Sequence, residues 1–140
     1  MEAAVATFAC DRGLETAHDH VVHLVAERFA DAGRFIVETG LGAGRKGRRQ
    51  RVAFDPDVAG WSSKGDRDRL EWAVEVETEE TVTETQAALR WRHTASLCVP
   101  FYLIVPKGHR VAVQAAAFRA GVSPRSILEY TLGSGSFELL

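Results

Sequence analysis

Residues 70 to 78 alternate strictly, with Trp72, Val74 and Val76 on one parity and Ala73, Glu75 and Glu77 on the other. A period of two predicts a strand with an apolar face and a face bearing carboxylates. Upstream, residues 15 to 32 follow the helical period, with Val22, Val25, Ala26 and Phe29 as the apolar stripe and Gly33 at the expected stop. His20, His23, Glu27 and Asp31 fall on the polar side of this helix. Residues 34 to 39, "RFIVET", are β-branched and aromatic and predict a strand. A Gly-rich basic loop follows, and strand character resumes at 51 to 61, where Pro56 makes the strand irregular or sets it near an edge. "SSKGDRD", 62 to 68, is the expected turn into the carboxylate strand.

Downstream, residues 83 to 97 predict a second helix with Thr83 as N-cap and Gln86, Arg90 and His93 along one side. "VPFYLIVP", 99 to 106, is continuously apolar and suits a strand buried on both faces. Residues 109 to 121 predict a third helix ending at Gly121, and 123 to 132 a turn and a last strand. The order is helix, three strands, helix, strand, helix, strand. It predicts one α/β domain over residues 1 to 140 built around a mixed sheet.

Length and composition bound the function without choosing it. A chain of 140 residues can bury a real core, and 46% hydrophobic with 26% charged residues is ordinary for a soluble protein. No apolar run nears the roughly 20 residues that span a bilayer. The first residues, "MEAAVATFACDRG", lack a basic stretch before an apolar one, so the expectation is a cytoplasmic protein without a signal peptide. Cys10 and Cys98 have no metal or redox spacing, and Cys98 is expected as a buried thiol.

Charge is more informative in its placement than in its sum of −2. Arg45, Lys46, Arg48, Arg49 and Arg51 crowd one loop, where glycines let a backbone approach closely. Such a loop suits the phosphates of a nucleic acid. Gly40, Gly42 and Gly44 do not have the phosphate-binding GxGxxG spacing. Trp61 and Trp72 are expected in the core, while the role of Trp91, between Arg90 and Arg92, stays open.

Two explanations of the carboxylates stand side by side. Glu75 and Glu77 could line a solvated sheet face. Alternatively, Asp57 from the preceding strand joins them, and a divalent cation offsets their mutual repulsion.

Pro56-Asp57 followed by Glu75-Val76-Glu77 resembles the signature of the PD-(D/E)XK nucleases, over roughly residues 15 to 106. The resemblance implies a restriction-endonuclease-like core of helix, three strands, helix and strand around a mixed sheet, here extended by a C-terminal helix and strand. It implies a Mg²⁺- or Mn²⁺-dependent hydrolase of DNA phosphodiesters, with Asp57 and Glu75 as metal ligands. Glu77 stands where the family has Lys, which some restriction enzymes of the superfamily also show; it is expected as general base or further ligand. Gln86 is similar to the Gln of the RecB-like QxxxY helix, though Arg90 replaces its Tyr. His20 or His23 would supply the first-helix ligand of RecB-like and Holliday-junction-resolvase-like members. Arg90 and the basic loop would contact the nucleic acid, and a homodimer is expected by analogy. The pattern does not separate DNA from RNA. The missing Lys supports an alternative, a non-catalytic member that binds nucleic acid or protein.

Overall fold

The structure is a computed structural model that describes residues 7–10, 13–31, 33–40, 56–64, 67–83, 85–133 and 136–140. Strands β1 (Thr7–Cys10) and β2 (Gly13–Thr16) form a small antiparallel hairpin that the sequence pattern did not suggest. Helix α1 (Ala17–Ala30) follows directly, because the Thr16 hydroxyl accepts the Asp19 N–H at 3.1 Å and caps it. Residues 15 and 16, expected in the helix, therefore belong to the hairpin. Gly33, at φ +84°, lets the chain leave α1 through the left-handed region.

The main sheet has six strands in chain order: β3 (Ile36–Thr39), β4 (Val58–Lys64), β5 (Arg67–Val76), β6 (Phe101–Pro106), β7 (Ser126–Gly133) and β8 (Ser136–Leu139). β3, β4 and β5 form an antiparallel meander; β6 and β7 add in parallel; β8 closes the edge antiparallel to β7. Helix α2 (Thr85–Ala95) makes the crossover from β5 to β6 and α3 (Arg110–Arg119) the crossover from β6 to β7. The protein is thus mixed α/β, with three helices among the described residues.

Two differences from the sequence pattern concern turns. The expected loop at 62 to 68 is mostly strand, since β4 runs to Lys64 and β5 restarts at Arg67. The Ser63 hydroxyl donates to Asp68 at 2.8 Å and steadies this tight return. β8 also went unforeseen, because polar and apolar residues alternate there over only four positions. Residues 51 to 55 of the expected second strand lie outside the described residues.

The sheet separates two cores. Val21, Val22 and Val25 of α1 pack with Val58, Trp72, Val74, Val76 and Ile104. On the other face, Ala87 and Trp91 of α2 and Val113 and Ala117 of α3 pack on Phe101, Leu103 and Val105. β6 lies between them, and its continuous apolar run serves both faces. Trp72 also fixes the identity of Gly60 on the neighbouring strand: a Cβ there would sit 2.0 Å from the indole. Trp61, Trp72 and Trp91 are all buried. Cys98 is exposed, contrary to expectation, because it sits at φ +61° in the turn that ends α2 rather than in β6. Among the described residues, no helix is long and apolar enough to cross a membrane.

Candidate functional site: a buried carboxyl pair beside a histidine

Register puts Asp57 opposite Glu75. Val58 pairs with Val74 across antiparallel β4 and β5, so one step outward from each brings these two carboxyls together at the end of the ladder. The backbone there is pinned from both sides. Gly40 N–H donates to the Asp57 carbonyl at 3.0 Å, and Val76 N–H donates to Asp57 Oδ2 at 2.9 Å.

His18, in the first turn of α1, completes the group. Its Nε2 is 3.2 Å from Asp57 Oδ2 and 3.1 Å from the Val76 carbonyl oxygen. Its Nδ1 lies 3.5 Å from Asp19 Oδ1. Burial alone would lower the pKa of this ring. The hydrogen bond and charge of Asp57, helped by Asp19, outweigh burial and raise it from 6.5 to about 9. His18 is therefore an imidazolium near neutrality, donating into two oxygens at once.

Glu75 is 1% exposed, and its Oε2 accepts the Thr94 hydroxyl at 2.6 Å. Burial raises its pKa well above the usual carboxyl value. The charge of Asp57 and a hydrogen bond to it push the same way, and the Thr94 hydroxyl opposes them. The shift favours a proton on Glu75 beside the half-buried Asp57, as expected for two adjacent carboxyls that repel when both ionise.

Glu77 shares this face of β5 but has different partners. It is fully buried. Oε1 accepts from the Thr81 hydroxyl at 2.7 Å and from Arg90 Nη2 at 2.8 Å, while Oε2 accepts from Trp91 Nε1 at 2.8 Å. Its backbone is tied as well, by its N–H to the Ile104 carbonyl at 2.9 Å and by the Tyr130 hydroxyl to its own carbonyl at 3.0 Å. The explanation of "EVE" as a solvated face is thereby excluded, because both Glu side chains lie under α2.

The expected site residues are only partly brought together. Asp57 and Glu75 meet, and Glu77 lies next along the strand with its described hydrogen bonds directed to α2 and the 78 to 81 turn. Arg90, expected on nucleic acid, forms an ion pair with Glu77 at 2.8 Å. Gln86 is exposed on α2, His23 is exposed and His20 half-buried on α1. The α1 residue that reaches Asp57 is His18, which the sequence pattern had not singled out. The signal for it was the capping position of Thr16, which fixes His18 in the first turn, nearest the strand ends. Arg45, Lys46, Arg48, Arg49 and Arg51 lie outside the described residues.

The donor set bears on an implied metal. Among the described residues, no group of three or more His, Cys, Asp and Glu is placed to hold a metal ion. His18 Nε2 meets Asp57 and the Val76 carbonyl oxygen, and Glu75, which accepts from the Thr94 hydroxyl, meets Asp57. Hard divalent ions such as Mg²⁺ use one or two carboxylates and fill the remaining positions with water, so carboxyl and carbonyl oxygens like these would suit Mg²⁺ or Mn²⁺ rather than a softer ion. No protein-family profile, curated protein or solved structure matches the chain.

Proposed function

We propose that the protein is a metal-dependent nuclease of the PD-(D/E)XK type that hydrolyses phosphodiester bonds in DNA. The observation that carries this reading is the Asp57–Glu75 pair, set opposite one another at the ends of β4 and β5 with the Val76 carbonyl beside them. A carboxyl pair with Glu75 buried and Asp57 half-buried is unfavourable without a cation or a shared proton, and Asp57, Glu75 and the Val76 carbonyl would hold Mg²⁺ or Mn²⁺ here. A bound ion of this kind acidifies water and offsets charge on a transferring phosphoryl group. The order of helix, antiparallel meander, helix and parallel strand supports the restriction-endonuclease-like assignment.

Within this reading, the chain's own groups have distinct duties. Asp57 is the meeting point, accepting from Val76 N–H and His18. Thr94 orients Glu75. His18 holds Asp57 Oδ2 and the Val76 carbonyl in place in the metal-free protein and would give up its proton when an ion takes those oxygens. Glu77 acts as a positioning residue rather than a base, since both oxygens are engaged by Thr81, Arg90 and Trp91. The protein would work in the cytoplasm on DNA, with a second copy completing the grip on a duplex.

One observation favours a second reading. The residue at the family's Lys position is locked into the core, so no side chain there is offered to a water molecule. A non-catalytic member, binding nucleic acid or protein on the same scaffold, would look like this. The test is a Mn²⁺ titration by calorimetry beside a nicking assay on supercoiled, linear and single-stranded DNA. Metal binding with cleavage, both lost in Asp57→Asn and Glu75→Gln, supports the nuclease. Metal binding without cleavage on any substrate supports the second reading, and no metal binding in millimolar Mn²⁺ overturns the first.

A further inference from the structure

The helical layer of α2 and α3 is segregated by charge. Of the 19 acidic residues of the chain, none falls between 85 and 128. The same stretch holds Arg90, Arg92, Lys107, Arg110, Arg119 and Arg125. It builds α2, β6, α3 and the entry to β7, so Arg90, Arg92, Arg110 and Arg119 belong to the helical layer opposite α1, with Lys107 and Arg125 in the loops that lead into and out of α3. Arg90 is committed to Glu77. The other five are exposed, and no carboxylate among the described residues forms an ion pair with them. The carboxylates that do reach this face are already engaged. Glu129 accepts the N–H groups of Gly108 and Arg110, each at 3.0 Å, and Glu79 pairs with His109 at 2.9 Å.

Helix α3 is a ridge between two grooves. The groove toward α2, about 480 Å³, has Val82, the alanines of both helices and Trp91 for a floor, with Arg92 and Arg119 at its sides. The groove beyond α3, about 450 Å³, carries Arg110, Gln114, Ser123 and Arg125. Val111 is 77% exposed, and Phe118, at the rim of the second groove, is 84% exposed. These two residues are seven apart and so share one side of the helix. An exposed aromatic flanked by arginines has no use in the fold: Val113 and Ala117 already secure α3 to the sheet.

We infer that this face binds single-stranded nucleic acid, with the arginine-flanked grooves following the sugar-phosphate backbone and Phe118 stacking on an unpaired base. Arginines in grooves and a projecting aromatic are the two components that sequence-tolerant single-strand binding requires. A surface meant for a second copy of the chain would need a continuous apolar area rather than the scattered Leu89, Val111 and Phe118, and a smooth duplex would leave Phe118 without a base plane to meet. The inference shares only the nucleic-acid partner with the proposed function, and it holds whether or not the carboxyl pair cleaves.

The experiment uses the full chain carrying Asp57→Asn, so that no strand is cut, with fluorescein-labelled oligothymidylate titrated by anisotropy over a range of salt. Changing Arg92, Arg110, Arg119 and Arg125 together to Ala should lower the slope of log K against log salt by about 2 to 3, near 0.7 for each phosphate no longer neutralised. Phe118→Ala should weaken binding roughly tenfold with the slope unchanged. Phe118→Trp should bind as before, and the introduced indole, unlike the three buried ones, should be quenched by the oligonucleotide. Thermal melting should be the same for every variant, since all five side chains are exposed. An affinity and slope that ignore both substitutions, or a parent that binds no oligonucleotide, would overturn the inference. So would a loss of self-association in sedimentation with DNA binding intact, which would assign the face to a second copy. Cleavage absent from the unmodified chain while these results hold would count against the nuclease alone.

Discussion

The indole N–H of Trp91 donates to Glu77 Oε2 at 2.8 Å inside the core, so a carboxylate and a tryptophan one helix away are each other's partner. The relationship turns a candidate catalytic residue into part of the packing between β5 and α2. Trp91→Phe should remove one hydrogen bond to a buried charge and cost about 1 to 3 kcal/mol. Arg90→Ala should cost a similar amount, because Arg90 is 31% exposed and partly screened, although a wholly buried pair would lose about 3 to 5 kcal/mol. Urea unfolding of the metal-free protein measures both. If either variant is as stable as the parent, Glu77 is not held as described.

Gly60 and Trp72 make a second packing prediction. The Cβ of Gly60→Ala would lie 2.0 Å from Cε2 and 2.3 Å from Cζ2 of the indole, which itself packs on Phe29 at 5.1 Å between ring centroids. The indole cannot withdraw without disturbing α1. The substitution should destabilise the protein by about 1 to 3 kcal/mol, read from the urea midpoint. Gly60→Ala with Trp72→Leu should recover part of that loss relative to Trp72→Leu alone.

Legibility from the sequence tracked how local each signal was. Period two through Trp72, Val74 and Val76, and the apolar run at 99 to 106, state how a strand is buried, and both strands form, shifted at their ends to Arg67–Val76 and Phe101–Pro106. The Asp57–Glu75 meeting was readable too, because an antiparallel return between them fixes it by register. The exposure of the Glu pair was not readable. Alternation says that one parity faces away from the other, but a second helical layer can cover that face, and α2 does. His20 and His23 are read from the polar stripe and set above Glu27 by their distance from the helix C-terminus, and His18 is not among the candidates. What decides is where the helix begins: the Thr16 cap sets His18 in the first turn, against Asp57. The N-terminal hairpin and β8 are four-residue strands whose pairing is their only signature.

The metal-free protein should lose stability as pH rises. The folded His18 pKa of about 9 exceeds its unfolded 6.5, so its contribution is complete below pH 6.5 and is lost on passing pH 9. The size is about 3 kcal/mol, as an upper figure. Glu75 acts in the same direction from a lower starting pH: its raised value makes the folded state hold a proton that the unfolded state gives up above about 4.5. Unfolding midpoints should therefore fall from about pH 4.5 through pH 9. Glu75→Gln should remove the fall below pH 6.5, where His18 does not yet contribute, whereas His18→Gln should leave that part and reduce the fall between pH 6.5 and 9. A parent whose stability is level over this range would contradict both assignments.

Metal binding should release protons. Burial and Asp57 favour the protonated form of Glu75 in the unliganded pair, whereas a Mg²⁺ or Mn²⁺ ligand must be a carboxylate, so the arriving ion should displace that proton. His18 lies within 3.2 Å of the same Asp57 oxygen, and a divalent charge there would repel the imidazolium and favour its neutral form. Calorimetric Mn²⁺ titration at pH 7 in two buffers of different ionisation enthalpy should show between one and two protons released per ion. Apparent affinity should then rise with pH between 6 and 8. Glu75→Gln should lose the larger part of the affinity. His18→Ala should keep binding but release fewer protons, which separates a charge at the mouth of the site from a ligand. His20→Ala and His23→Ala should leave the proton count unchanged. A parent that binds the ion with no proton released would show that Glu75 is ionised beforehand, and the shared-proton description of the pair would fall.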